Sequence, residues 1–328
     1  MKRRIGLVTV VGMTLLGLVA VGGPVQAVVP GTNGRILFAR CIAPFRCGSS
    51  SVPTWEIVAA DPNDTNETVL AGPYTREVFD DHFIANWSPD ATSAIFMADL
   101  GAGQAIWQVN ADGTDLHMVW TPPNDGTGID DGPAFTPDGG HIVFTRCCPE
   151  GYGYSLWMIS ADGTGLTDIT KEPGGDGPAD TTPQVAPNGQ KIVFNRCFPE
   201  RPCVVATVNV DGTNMRNLTD NTAFASEHPN WSPNSRRIVF GLQHFAGGSD
   251  IAIMKADGTS LRQLTSDGKG PNASFDPSFS PDGTKILFAH YLSTGGIDLY
   301  TMRPDGSGAT QVTRTPDVEV LPEWAVAT

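Results

Sequence analysis

Carboxylates and histidines recur at one fixed place along this chain. Trp87, Phe135, Val185, Trp231 and Phe279 each precede a Ser-Pro-Asp-like turn, and Trp324 stands in a related segment. Three to six positions before these anchors lie Asp81 and His82, Asp130 and Asp131, Asp180, Glu227 and His228, Asp276, and Glu319. Brought together, they would form an anionic ring able to hold a cation, a basic peptide or a polar ligand. His82 and His228 each adjoin an acid, and with His290 they are the residue types of a divalent-metal site. Such a site would suit a lyase or hydrolase acting on a carbohydrate or lactone. The same acids can instead serve structure. Arg40, Arg146 and Arg196 each lie two residues past a phenylalanine. Folding the chain at its turns places Arg146 roughly opposite Asp131, Arg196 near Asp180 and Arg40 near Glu319, as cross-strand pairs.

The six cysteines are also placed systematically, with Cys41 and Cys47, Cys147 and Cys148, and Cys197 and Cys203 in three equivalent loops. In an exported chain an even count favours disulfides. The expected pairs are Cys41–Cys47, Cys197–Cys203 and a vicinal Cys147–Cys148. The competing pattern links Cys147 or Cys148 to Cys197 or Cys203. A zinc site would need closer spacing and histidine.

The elements that position these residues come from a repeat. Nine residues after the anchors lie Phe96, Phe144, Phe194, Phe240 and Phe288, and Asp-Gly pairs follow at Asp112, Asp162, Asp211, Asp257 and Asp305. The anchors recur every 46 to 50 residues, a period of solenoids and propellers. Each unit holds four short apolar runs. The second, as in Ile142-Val143-Phe144, is apolar throughout and suits a strand covered on both faces. The third ends in Asp-Gly, a hairpin signal that calls for positive φ at both central residues. Four antiparallel strands per unit, radially repeated, make a β-propeller blade.

The expected fold is therefore all-β, a six-bladed propeller with blades near 34–72, 81–120, 131–170, 181–220, 227–266 and 275–315. A closing strand at 319–326 supplies the first blade's missing innermost strand. One end of such a molecule collects the cysteine loops, the connections between blades and the acids. Loop aromatics Phe45, Tyr74, Tyr152, Tyr154, Phe245 and Tyr291 would join them.

Pro277-Ser278-Phe279-Ser280-Pro281-Asp282-Gly283 through Phe288, and Leu299-Tyr300-Thr301-Met302 through Asp305-Gly306, resemble the WD40-like repeat of the TolB family. The resemblance implies a propeller that engages envelope partners through its channel-mouth face. TolB proteins carry an α/β domain ahead of the propeller, and here the first blade follows the export signal directly.

Residues 1–27 read as that signal: Lys2, Arg3 and Arg4, an apolar core, and Val25-Gln26-Ala27 for cleavage. No second hydrophobic span follows, so no membrane insertion is expected after cleavage. The formal net charge of −14 opposes nucleic-acid binding. Gly-x-Ser-x-Gly, phosphate-loop and His-Glu-x-x-His motifs are missing from the sequence, and Asp61-Pro62-Asn63-Asp64 begins a calcium loop without completing it. The expectation is a secreted or periplasmic monomer without a cofactor, binding a cell-envelope protein or peptide at the channel mouth. The alternative is a metal-dependent lyase or hydrolase, with a divalent cation at that mouth.

Overall fold

The computed structural model describes residues 31–42, 54–75, 84–100, 104–123, 128–147, 153–171, 177–220, 222–267, 273–293 and 295–326. The signal segment lies outside them. Regular structure among the described residues is all strand, in two sheets of four strands and two of eight. No helix among them is long and apolar enough to cross a membrane.

Strands group in fours as antiparallel meanders. The second group is Ala85–Trp87, Ser93–Asp99, Gln104–Asn110 and His117–Trp120. The third is Ile129–Phe135, His141–Cys147, Tyr154–Ser160 and Thr167–Asp168. The fourth is Ala179–Val185, Lys191–Phe198, Arg201–Asn209 and Arg216–Asn217. The fifth is Phe224–Trp231, Arg237–His244, Ser249–Lys255 and Arg262–Gln263. The sixth is Ser274–Phe279, Ile286–Leu292, Gly296–Met302 and Thr310–Gln311. In the first, Asn33–Cys41, Thr54–Ala60 and Thr68–Thr75 are joined by Val318–Val326, which pairs antiparallel with Asn33–Cys41. The eight-stranded sheets arise where Tyr154 meets Ala179 and Ile297 meets Val318, single parallel contacts between neighbouring groups.

The signature residues of the repeat hold this propeller-like arrangement together. Phe38, Phe96, Phe144, Phe194 and Phe240 are fully buried and Phe288 is 2% exposed. Each such ring contributes roughly 1.5–3 kcal/mol by leaving water. Apolar clusters fill the spaces between successive groups. One joins the sixth to the first, through Leu287, Ala289 and Leu299 against Ile36, Phe38, Val58 and Trp324. In the Ser-Pro-Asp turns, Ser88 donates to Asp90 Oδ1 at 2.7 Å and accepts from the Ser93 N–H at 3.0 Å. Thr136, Ser232 and Ser280 repeat both bonds. The closing Leu-Thr is equally structural. The hydroxyls of Thr170, Thr219, Thr265 and Thr313 accept the backbone N–H of Leu156, Val205, Ile251 and Leu299 at 2.8–3.0 Å.

The Asp-Gly turns differ from the sequence expectation. Only the glycine takes positive φ, between 81° and 86° at Gly113, Gly163, Gly212, Gly258 and Gly306. The aspartate instead accepts from the following Thr or Ser, as Asp162 does from Thr164 N–H at 3.0 Å. The glycine also lies against the outermost strand of the preceding group. A Cβ on Gly163 would sit 2.4 Å from the Val119 carbonyl oxygen, and one on Gly212 2.5 Å from that of Ile169. These turns therefore set the spacing between groups.

Gly163→Ala should lower stability by about 2 kcal/mol or more, from backbone strain plus steric displacement. Gly189→Ala, with φ of 69° but nothing within 4 Å, should cost only about 1 kcal/mol. Denaturant unfolding of the two variants compares them directly.

Candidate functional site

In four of the six groups the axial strand is kinked three residues before its anchor. Thr182, His228, Asp276 and Leu321 take left-handed φ of 50°, 44°, 51° and 54°. Each precedes a proline, which has no N–H to give the ladder. Pairing slips at the same points, between Thr181 and Gln184, Glu227 and Asn230, and Phe275 and Ser278. In a regular strand, residues five, three and one before the anchor would share a face. The bulge breaks that rule.

Residues five positions back turn into the protein. Asp180, Ser226, Ser274 and Glu319 are all fully buried. Asp180 Oδ2 meets Arg196 Nη1 at 3.2 Å, and Glu319 Oε1 meets Arg40 Nε at 3.5 Å and accepts from Thr315 Oγ1 at 2.8 Å. Both pairings follow the cross-strand reading of the sequence. Burial pushes the Glu319 carboxyl up to about 7, against the pull of Thr313, Thr315 and Arg40. At the third pairing a bulge shifts the register, setting Arg146 opposite Ile129 and Asp131 opposite Thr145. Arg146 lies over the rings of Trp157 at 4.9 Å and Trp120 at 5.6 Å. Asp81, His82 and the side chains of Asp130 and Asp131 lie outside the described residues. Glu227 is half-buried opposite Gly241.

Residues three positions back surround the axis instead. Ile84, Gly132, Thr182, His228, Asp276 and Leu321 line one cavity of ≈ 430 Å³, so all six axial strands contribute. His228 Nδ1 lies 2.5 Å from Asp276 Oδ1, and Asp276 Oδ2 accepts from the Leu321 N–H at 3.2 Å. The expected carboxylate ring is thus redistributed. Among the described acids named from the sequence, Asp276 lines the cavity with His228, while Asp180 and Glu319 are buried pairs. His290 is elsewhere, 3.0 Å from Ser274 Oγ and edge-on to Tyr300 at 5.0 Å. No group of three His, Cys, Asp or Glu residues suited to a metal occurs among the described residues.

The residue just before the anchor was missed. Asn86, Gln184, Asn230 and Glu323 all reach the axis from that position. Gln184 Nε2 donates to Asn86 Oδ1 at 3.0 Å, and Asn230 Nδ2 donates to Glu323 Oε2 at 3.3 Å. Neighbouring protein strips much of the water from the half-buried Glu323, and this desolvation pushes its carboxyl up to about 8 despite Asn230 and the Trp324 N–H. Gln184, Asn230 and Glu323 also line a second cavity of ≈ 570 Å³ towards the opposite end. They form a polar constriction between two vestibules. A polar residue stands before every anchor except Phe135, and that recurrence was the signal that would have found them.

The cysteine loops share the end of the first vestibule, since Cys197 pairs in register with Ala179 and Cys41 with Val318, beside Asp180 and Glu319. Cys197–Cys203 is a disulfide, with Cα atoms 3.9 Å apart. Cys41 is disulfide-bonded, and its expected partner Cys47 lies outside the described residues. The third expected pair, Cys147–Cys148, involves Cys148, which lies outside the described residues. At the same end Phe245 is 61% and Tyr291 38% exposed.

A family model described as the TolB beta propeller domain, PD40, matches residues 79–273. The fold is similar to TolB from Acinetobacter baumannii, with a TM-score of 0.71, 18% identity and 89% of this chain covered. This chain spans 66% of that protein's length. It is also similar to a putative TolB from Agrobacterium tumefaciens, with a TM-score of 0.61, 16% identity and 86% and 89% of the two chains covered. An oligogalacturonate lyase from Vibrio parahaemolyticus has a TM-score of 0.57 at 11% identity, covering 86% and 80%. Comparison with curated proteins finds no significant match.

Raised carboxyl pKa values set the sign of one pH effect. Glu323 and Glu319 bind protons in the folded state at pH values where the unfolded chain has released them. Their stabilising contribution is complete below about pH 4.5 and is lost as pH rises through about 7 to 8. The turn aspartates act oppositely: Asp162, Asp211 and Asp257 are held low by the following Thr hydroxyl and N–H, so their contribution fades only as pH falls below about 4. The unfolding midpoint should therefore decline from pH 5 to pH 8.5. Glu323→Gln should flatten that decline in a thermal titration.

Proposed function

The chain belongs to the PD40 family of TolB β-propeller domains, and on that premise we propose that it is an exported, six-bladed propeller that binds a protein or peptide at its axial mouth. Six strand groups, an apolar cluster between the sixth and the first, and the pairing of Val318–Val326 with Asn33–Cys41 support a closed ring. The bond from Trp324 Nε1 to the Gly34 carbonyl at 3.0 Å and the reciprocal pair between Asn33 and Asp282 support it too. On this reading the blades keep the limits drawn from the repeat, and 1–27 is the export signal. Disulfides at Cys197–Cys203 and Cys41 fit an oxidising envelope or extracellular compartment. The reading is of a monomer that needs no cofactor.

One observation carries the binding role: a single vestibule to which all six axial strands contribute. The recess is narrow and framed by single axial strands, so its occupant is a chain terminus or loop and not a folded domain. His228 supplies a half-buried polar ring, Leu321 and the prolines supply apolar walls, and exposed Phe245 and Tyr291 extend the surface outward. Rigid strands carry the vestibule while longer loops frame it, the usual division in a binding scaffold. A second reading, a metal-dependent lyase or hydrolase, draws on the His228–Asp276 contact and on the fold of the Vibrio lyase.

His228→Asn and Asp276→Asn test the first reading, because asparagine tolerates left-handed backbone. Capture of envelope proteins by the immobilised chain should fall at least tenfold in the double variant and not in Leu166→Ala. Equal capture would remove the vestibule from the binding surface. Elemental analysis of exported protein tests the second: one divalent ion per chain, lost on His228→Asn, would favour the enzyme.

A further inference from the structure

The opposite end of the molecule, formed by the short turns, carries its like-charged cross-strand pairs on one side only. At the outer end of the hairpin pairing between second and third strands, the second, third and fourth groups place neutral residues or a single charge. Ser93 faces Asn110, His141 faces Ser160, and Lys191 faces Asn209. In the fifth group Arg237 faces Lys255 directly. In the sixth, Ile286 pairs with Met302, which sets Lys285 and Arg303 against each other as the next residues outward. Like charges placed opposite one another destabilise a sheet. Here the arrangement occurs twice, in neighbouring groups.

Nearby residues strengthen the effect. The fifth group's turn carries Asn234 where others have Asp90, Asp138 and Asp282, and Arg236 follows it. Arg262 reaches across to the sixth group, its guanidinium donating to the carbonyls of Asp305 at 2.9 Å and Pro304 at 3.0 Å. Arg236, Arg237, Lys255, Arg262, Lys285 and Arg303 are all exposed. The ion pairs of arginine among the described residues lie elsewhere, at Arg40 and Arg196. Three carboxylates share the area, but each is held by its own turn. Asp257 accepts from Thr259, Asp305 from Ser307, and Asp282 from Ser280 and Thr284. These carboxylates keep their charge, and Asp257 and Asp305 also feel Lys255, Arg303 and Arg262. The six cations outnumber the three acids, so the area is net positive on a chain whose formal net charge is −14.

The patch is also concave. A cavity of ≈ 730 Å³ lies between the fifth and sixth groups, with Pro233, Phe279 and Pro304 as apolar walls and Asn234, Arg236 and Arg237 beside them. We infer that this cleft is a second docking surface, for an acidic polypeptide segment carrying apolar side chains. Guanidinium forks match carboxylates in pairs of hydrogen bonds. The proline and phenylalanine walls favour a polypeptide with apolar side chains over a bare polyanion. The surface is independent of the axial mouth, which opens at the other end.

A fluorescein-labelled peptide alternating Glu with Leu and Phe tests this by anisotropy. The triple variant R236E/R237E/K255E should weaken its binding at least tenfold, and added salt should weaken binding to the wild type. His228→Asn at the mouth should leave the affinity unchanged. Lys255→Glu alone should weaken the peptide yet raise the thermal midpoint, since it gives Arg237 an opposite charge. The proposal falls if charge reversal leaves the affinity unchanged, or if a Gln-for-Glu peptide binds equally well. It also falls if phosphatidylglycerol vesicles or heparin bind more tightly with the same dependence, or if the unlabelled chain self-associates through this face instead.

Discussion

The pairing of the last strand with the first one is the interaction on which the site depends. Val318–Val326 lies beside Asn33–Cys41 although nearly the whole chain separates them. Through this one strand the molecule acquires Glu319 for Arg40, Leu321 for the vestibule, Glu323 for the constriction and Trp324 for the core between the sixth and first groups. Long-range pairing of this kind carries the largest loop-closure cost in the fold, so it must form late, on groups already assembled. Every axial feature is therefore completed in the same step that joins the two ends.

Within that frame, the backbone decides which side chains face the axis. Counting along the hairpins anticipated Arg196 beside Asp180 and Arg40 beside Glu319, because antiparallel register is rigid arithmetic once a turn is located. Counting failed where a left-handed residue before proline interrupts the register, since no composition rule announces such a bulge. The acids five positions back were therefore credited to the mouth, and they are buried. Glu323, Gln184 and Asn230 were overlooked because a polar residue next to a large aromatic anchor reads as part of a turn. The repeated phenylalanines and the Leu-Thr hydroxyls were legible because each recurs with a single structural purpose.

The electrostatics divide the molecule by depth more than by sign. Carboxylates on the turns sit in water and are bound by neighbouring N–H and hydroxyl groups, so they ionise readily. Glu319 and Glu323 of the closing strand are deprived of water and resist ionisation. Glu323 in its protonated form is a hydrogen-bond donor, which lets an Asn, a Gln and a carboxylic acid occupy one narrow bore without mutual repulsion. The bore is consequently polar but not strongly charged. This suits a scaffold whose vestibule recognises chemistry at its rim and closes beneath it.

The outermost strands have a separate meaning for life in a crowded compartment. In the third to sixth groups they are two residues long: Thr167–Asp168, Arg216–Asn217, Arg262–Gln263 and Thr310–Gln311. So short an edge offers too few free amides and carbonyls to template a foreign strand, and most of the perimeter is thereby protected from amyloid-like stacking. Thr68–Thr75 is the longer exception, and Pro73 leaves a gap in its row of donors. The rim of the molecule resists aggregation by brevity and by one well-placed imino acid.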